Sequence, residues 1–405
     1  MPALSIMIKP ASSLCNLRCK YCFYCDVASH RDVFSLGVMK EETAEKLIKS
    51  ALSFADGCSV AFAFQGGEPL IAGMDYFRFF TEAVDRYNEK NSEIFYSIQT
   101  NGTLVTDEWA RFFREKKFLV GLSLDGDYEG NKFRVDEKGQ NSYYKITSAA
   151  NKFKKHGVEF NILTVLTGYC AENAERIYKH FRSQGFGYLQ FIPCLRPMGD
   201  NTESELYMTP QQYSDFLIRI FNLYVKDFTR GKYMSIRQFD NWVRMYLGER
   251  AEQCGLMGHC THQFVAEGNG NIYPCDFYCT DEWLLGNINE NSLELWQREK
   301  KQRLSLWKVC PYRQNVRSAD LCLFAVQEAA NETERVLTTA KAIRDFSQRV
   351  CRFSECSEDK NHTRFLVESG VFSMSDLSKT PMSSSNKISE WYSISIPSLS
   401  DIAIT

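Results

Sequence analysis

Cys15, Cys19 and Cys22 are spaced C-x3-C-x2-C in KPASSLCNLRCKYCFYC, directly after a strand-like run at Ser5–Lys9. This spacing puts three thiols on one tight loop. A cubane iron–sulfur cluster takes one thiolate per iron, so three thiolates leave its fourth iron open. An open iron can chelate a small molecule through an amino group and a carboxylate. The competing uses are a zinc knuckle with Cys25 as fourth ligand, or thiols buried without a metal. Motifs further along the chain favour the cluster.

A second set, Cys254, Cys260 and Cys275, lies in CGLMGHCTHQFVAEGNGNIYPCDFYCTDEW. GNGN reads as a hairpin turn between QFVAE and IYPC, so cysteines stand at both ends of a hairpin. A cluster held there could accept or relay an electron. A zinc ribbon is the alternative, and zinc has no redox chemistry. Asp276 follows Cys275 directly. A carboxylate at a cluster's edge could take a proton from a substrate while the cluster takes an electron; in isolation it is a turn aspartate. Between the two sets lie Gln65-Gly66-Gly67-Glu68-Pro69, Gln99-Thr100-Asn101-Gly102-Thr103, and Ser123, Asp125 and Gly126. The glycines let backbone approach a ligand closely, and Asn-Gly favours a turn.

These motifs need a scaffold. Short β-rich runs at Ser5–Lys9, Ser59–Gln65, Phe95–Thr100, Phe118–Leu124, Glu159–Thr167 and Tyr188–Cys194 alternate with amphipathic stretches such as Lys40–Ala55, Asp75–Lys90, Asp107–Lys117 and Tyr143–His156. Six strand–helix repeats predict an α/β fold with a parallel sheet. A closed eight-fold barrel takes about 250 residues, so six units in roughly 200 predict an open, partial (β/α)6 barrel. The motifs fall at C-terminal strand ends, where such barrels carry their chemistry. We divide the chain into 1–230, the barrel; 231–302, a small Cys-containing module; and 303–405, a divergent, Ser-rich tail without clean periodicity.

The 405 residues are 44% hydrophobic and 24% charged, with a net charge of −2. That composition gives no nucleic-acid footprint, and no run is long enough to span a bilayer. A cytoplasmic protein is expected, so the 15 cysteines point to metal or cluster ligation rather than disulfides. Exposed clusters are oxygen-sensitive, which fits an anaerobic setting.

The C-x3-C-x2-C loop resembles the signature of the radical S-adenosylmethionine (SAM) superfamily, and the second set resembles the start of the auxiliary-cluster domain called SPASM. Together IKPASS, YCFY, FAFQGGEP, QTNGTL, EFNIL and YPCDFY resemble the anaerobic sulfatase-maturating enzymes over residues 1 to about 300. The resemblance implies a [4Fe-4S] cluster on Cys15, Cys19 and Cys22 with SAM on its open iron. It also implies auxiliary [4Fe-4S] clusters, the first using Cys254, Cys260 and Cys275. It implies that Tyr21 and Leu195 pack by the adenine, that Gly66, Gly67 and Glu68 hold the SAM amino group, and that Ser123 and Arg134 meet its carboxylate or ribose. The implied reaction converts a cysteine or serine of a sulfatase polypeptide to Cα-formylglycine, with Asp276 taking the proton. Its partners are that polypeptide and a reducing donor such as flavodoxin or ferredoxin. The rivals are another SPASM enzyme acting on a different peptide, and an inactive, cluster-poor form.

The resemblance breaks near Arg303. The family continues with C-x2-C-x5-C-x3-C, whereas Cys310, Cys322, Cys351 and Cys356 have other spacings. The first auxiliary cluster is left without an identifiable fourth ligand and the second without any. In the alternative reading frame the codon pairs Asn315/Val316, Ser318/Ala319 and Phe324/Ala325 can each encode Cys, giving C-x2-C-x5-C. We therefore expect a frameshift near Arg303 rather than a different native C-terminus.

Overall fold

The computed structural model describes residues 4–197, 202, 204–246 and 263–296. Six parallel strands form its centre: β1 (Leu4–Ile8), β2 (Val60–Phe64), β3 (Ile94–Thr100), β4 (Leu119–Ser123), β5 (Phe160–Leu166) and β6 (Tyr188–Pro193). The connecting helices are α1 (Phe23–Ser29), α2 (Glu41–Ala55), α3 (Met74–Tyr87), α4 (Asp107–Glu115), α5 (Tyr143–His156), α6 (Gly168–Glu172) and α7 (Ala174–Ser183). Two more, α8 (Pro210–Phe228) and α9 (Arg237–Tyr246), flank the short strand β7 (Ser235–Ile236). Each expected strand and helix is present, within a few residues of its expected ends.

Local chemistry explains the elements. All five residues of β2, VAFAF, are buried, as in a parallel strand covered on both faces. In α2 the buried Ala44, Leu47, Ile48, Ala51, Leu52 and Ala55 recur at helical spacing, with Glu41 and Glu42 in the positively polarised first turn. Thr209 and Gln212 close a capping box at the start of α8.

Strand alternation divides the sheet into two faces. Ile6, Ile8, Phe62, Phe64, Ile98, Val120, Leu122 and Ile162 pack with the helices in one core. Lys9, Gln65, Gln99, Gly121 and Asn161 therefore lie on the opposite, inner face.

The sheet extends beyond the six-strand barrel on both sides. β7 pairs with β6, carrying the sheet past residue 230. On the other side β8 (Phe264–Ala266) runs parallel to β1, pairing Ile6 with Phe264 and Ile8 with Ala266. β9 (Asn271–Tyr273) folds back on β8 through the expected turn, where the Gly270 N–H donates to the Glu267 carbonyl at 2.8 Å. β10 (Gly286–Asn287) completes a ten-stranded sheet. The hairpin thus covers what would be an open edge of β1. Among the described residues no helix is long and apolar enough to cross a membrane. Cys254, Cys260 and the expected frameshift after about Arg303 lie outside the described residues.

Candidate active site

The three-cysteine loop is pinned from both sides. Towards the chain's middle, the Arg18 N–H donates to the Val135 carbonyl at 2.6 Å and the Lys20 N–H to the Phe133 carbonyl at 3.0 Å. On the other side, the Gly67 N–H donates to the Ser12 carbonyl and the Glu68 N–H to the Leu14 carbonyl, both at 2.8 Å. Gly67 is required there: a Cβ would stand 2.0 Å from the Leu14 carbonyl oxygen. The GGEP and cysteine loops are therefore joined backbone to backbone.

The thiols show what they need. Burial pushes Cys15 up to about 11 and Cys19 up to about 12, and neighbouring thiolates add to both. Three adjacent thiolates at such a site require positive charge among them, which iron supplies. Asn101 Nδ2 lies 3.8 Å from the Cys15 sulfur and Arg134 Nη1 lies 4.0 Å from that of Cys19. Among the described residues no three His, Cys, Asp or Glu side chains converge on a single metal ion. A cubane asks for a different arrangement, one thiolate at each of separate iron corners. The donor set fits the cluster.

Glu68 is fully buried and accepts from the Leu70 N–H at 3.1 Å, the Thr100 hydroxyl at 2.8 Å and the Asn101 N–H at 2.8 Å. Its carboxylate braces the loop after β2 against the loop after β3. Burial pushes its pKa up to about 7 against the pull of those hydrogen bonds. Asp125 is also fully buried. It accepts from Arg134 Nε at 3.2 Å and Nη2 at 3.1 Å, from the Val165 N–H at 2.9 Å, and from the Tyr21 hydroxyl. Two nitrogens of the Arg134 fork are thus committed to Asp125, while Nη1 turns toward Cys19. Ser123 is half-buried at the end of β4, and Leu195 is half-buried in the loop after β6.

Asp276 opens a short 3₁₀ turn (Asp276–Tyr278) after β9 and is fully buried. One carboxylate oxygen accepts from Lys9 Nζ and the other from Gln65 Nε2 at 2.7 Å. Lys9 Nζ also sits 3.7 Å from the centre of the Tyr24 ring, a cation–π contact. Nearby, Glu267 accepts from the Tyr24 hydroxyl and from Arg31 Nη2 at 2.8 Å, with no exposure of either ionic side chain. Phe23, next to Cys22, packs on Phe277, next to Asp276, with ring centres 5.2 Å apart. The hairpin module is therefore locked to the cluster loop's own helix, α1.

The structure brings Tyr21, Gly66, Gly67, Glu68, Arg134, Asp276 and the three loop cysteines to the same end of the parallel strands. Cys275 stands beside Asp276. Sequence reasoning missed Lys9, Tyr24, Arg31, Glu267 and the buried Cys279, and named Gln65 only as part of the loop after the second strand. Lys9 carried a signal, being a charge that ends an otherwise apolar strand.

Comparison with known proteins agrees with this geometry. The sequence model of the radical SAM superfamily matches residues 10–182, and that of SPASM, an iron–sulfur cluster-binding domain, matches residues 258–323. The second match runs past residue 303. The chain is 45% identical to a cysteine-type anaerobic sulfatase-maturating enzyme of Clostridium novyi, over 72% of this chain and 78% of that protein. It is 34% identical to a serine-type enzyme of Bacteroides thetaiotaomicron, over 75% and 77%. A solved structure of native anSMEcpe with bound AdoMet and a Cp18Cys peptide superposes with a TM-score of 0.69 at 43% identity, covering 73% of this chain and 80% of that one. With this likeness and a cysteine loop built for an iron–sulfur cluster, the chain belongs to the anaerobic sulfatase-maturating enzymes of the radical SAM superfamily.

Proposed function

We propose that the chain oxidises a cysteine of a sulfatase polypeptide to Cα-formylglycine, using a [4Fe-4S] cluster with SAM and, once its auxiliary ligand set is complete, an auxiliary cluster. The observation that carries this reading is Asp276, buried between Lys9 and Gln65 at the strand ends that bear the cysteine loop. The higher identity to a cysteine-type relative than to a serine-type one favours cysteine.

When bound, the cluster with SAM would supply a carbon radical able to remove a Cβ hydrogen, and an auxiliary cluster would supply an electron acceptor. Asp276 takes the thiol proton. The CH2–SH group thereby loses two electrons and two protons, and water replaces sulfur to leave the aldehyde and hydrogen sulfide. Lys9 fixes one Asp276 oxygen and Gln65 the other, so the carboxylate meets the substrate in one orientation. Cys15, Cys19 and Cys22 hold the first cluster, and Cys254, Cys260 and Cys275 serve the auxiliary one. The Gly66 and Gly67 backbone would hold the SAM amino group, with Glu68 as the brace that shapes that loop. Ser123 would hold the SAM carboxylate or ribose, Arg134, through the Nη1 that turns toward Cys19, would meet the carboxylate, and Tyr21 and Leu195 would pack by the adenine. A one-electron donor such as flavodoxin or ferredoxin is the second partner.

The test is anaerobic incubation of the chain, with its reading frame restored after about residue 303, with SAM and a sulfatase-derived cysteine peptide. An aldehyde at the cysteine is the expected product. Release of 5′-deoxyadenosine with an intact thiol, or with a cross-linked peptide, would contradict the proposal.

A further inference from the structure

A row of polar side chains crosses the inner face of the sheet and starts at Asp276. Ile8, Phe64 and Ile98 are aligned in register, and the next residue on each strand is Lys9, Gln65 and Gln99. Gln99 is aligned with Gly121, and Gly121 with Asn161. The row therefore reads Lys9, Gln65, Gln99, Gly121, Asn161. Its first two members hold Asp276. Its far end differs: Gln99 Nε2 and Asn161 Oδ1 are buried, and neither has a hydrogen-bond partner among the described residues. Gly121 between them carries no side chain, and a Cβ there would stand 3.3 Å from Gln99 Cγ and 2.7 Å from Leu163 Cδ1. Gln99 and Leu163 thus lean over β4, and Gln99 leans toward Asn161.

Leaving a buried donor and a buried acceptor unpaired is costly. Neither supports the helix-packed core, because both lie on the opposite face. A ligand that pairs with both would remove that cost. The ligand must offer one acceptor and one donor in a compact, partly apolar unit, and a peptide group does so. Turning both side-chain amides over exchanges donor and acceptor together, and a peptide group, having both kinds of end, still pairs.

We propose that Gln99 and Asn161 seat one backbone peptide group of the polypeptide substrate, a few residues from the cysteine that Asp276 serves. Leu163 forms the apolar side of the seat. The proposal rests on the peptide-modifying reading above and adds to it where the substrate main chain lies. Because the contacts are to backbone, the seat accepts varied side chains at that substrate residue.

The test measures binding of the Cp18Cys peptide to the full chain and to Gln99→Met and Asn161→Leu, with Tm for each. Each substitution removes a polar group that has no partner in the described protein, so Tm should hold or rise while peptide affinity falls about tenfold. A second measurement needs no variant: peptides N-methylated at one residue at a time are bound to the parent chain. One methylated position should lose about tenfold, and that loss should vanish in Asn161→Leu. Unchanged affinity in both variants, a lowered Tm in both, or no sensitive position in the N-methyl series would overturn the seat and leave the proposed reaction standing. No binding of the unmethylated peptide by the parent chain would overturn the reaction and the seat together.

Discussion

Lys9 and Asp276, 267 residues apart in sequence, form an ion pair from which solvent is wholly excluded. Burial works against the Lys9 charge, but Asp276, with Cys279 and Glu267, outweighs it and holds the ammonium above its ordinary value. Breaking a buried pair by removing one partner costs about 3–5 kcal/mol, whereas removing both is often neutral. Lys9→Met should therefore lower stability by that order, and Lys9→Met with Asp276→Asn should recover most of it. Chemical denaturation of the three variants checks this. Additive losses would mean that the two side chains do not depend on each other.

The cysteine loop should be indispensable for SAM cleavage. Replacing Cys15, Cys19 or Cys22 with Ala removes a thiolate from one iron of the cluster. Each variant should bind little iron and form no 5′-deoxyadenosine after anaerobic reconstitution. Cleavage at the parent rate by any of them would remove that cysteine from the ligand set.

Gly67→Ala tests the join between the GGEP and cysteine loops. The added Cβ would collide with the Leu14 backbone, where no flexible side chain can give way. SAM affinity should fall at least tenfold and the iron content should drop with it. A variant that binds both normally would show that the two loops can separate without consequence.

Glu68 should make stability depend on pH. Its folded pKa of about 7 lies above the ordinary carboxyl value of 4.5. A group raised on folding stabilises the native state fully below its unfolded value, and that contribution is lost as pH rises through the folded one. The stability difference between the parent and Glu68→Gln should therefore shift against the parent between pH 4.5 and about 7. Thermal melts of both proteins across that range test it, and a constant difference would contradict the burial argument.

Much of this was legible in the sequence because it depends on local pattern. The apolar run Val60–Phe64 is a strand buried on both faces, and the GNGN hairpin forms where turn chemistry puts it. The cysteine spacing marked one loop, and one loop is what folds. The pairing of β8 with β1 was not legible, since short strands far apart in sequence carry no sign of their neighbours. For the same reason nothing in the sequence joined Lys9 to Asp276. Arg134 stood out as a charge for SAM, but Asp125, nine residues earlier, holds two of its nitrogens. A lone arginine in sequence does not say which carboxylate it will meet.

The reading frame after about Arg303 bears on turnover. We propose that the chain as written carries about four irons, its auxiliary ligands being incomplete, and forms formylglycine poorly or not at all. Restoring the alternative frame should raise the iron content toward three clusters and the aldehyde yield with it. Sequencing the gene around codon 303 and counting iron in both versions test this. A full iron load in the chain as written would show that its C-terminus supplies another ligand set.

The central claim is that Asp276, clasped by Lys9 and Gln65, is the base, and the ratio of formylglycine to 5′-deoxyadenosine tests it most directly. The measurement compares the frame-restored chain with its Asp276→Asn variant on one cysteine peptide. The variant should still cleave SAM, because the cysteine and GGEP loops are untouched, but its formylglycine should fall at least about a hundredfold, the scale of a lost general base. An unchanged ratio would contradict the account and take Asp276 out of the chemistry.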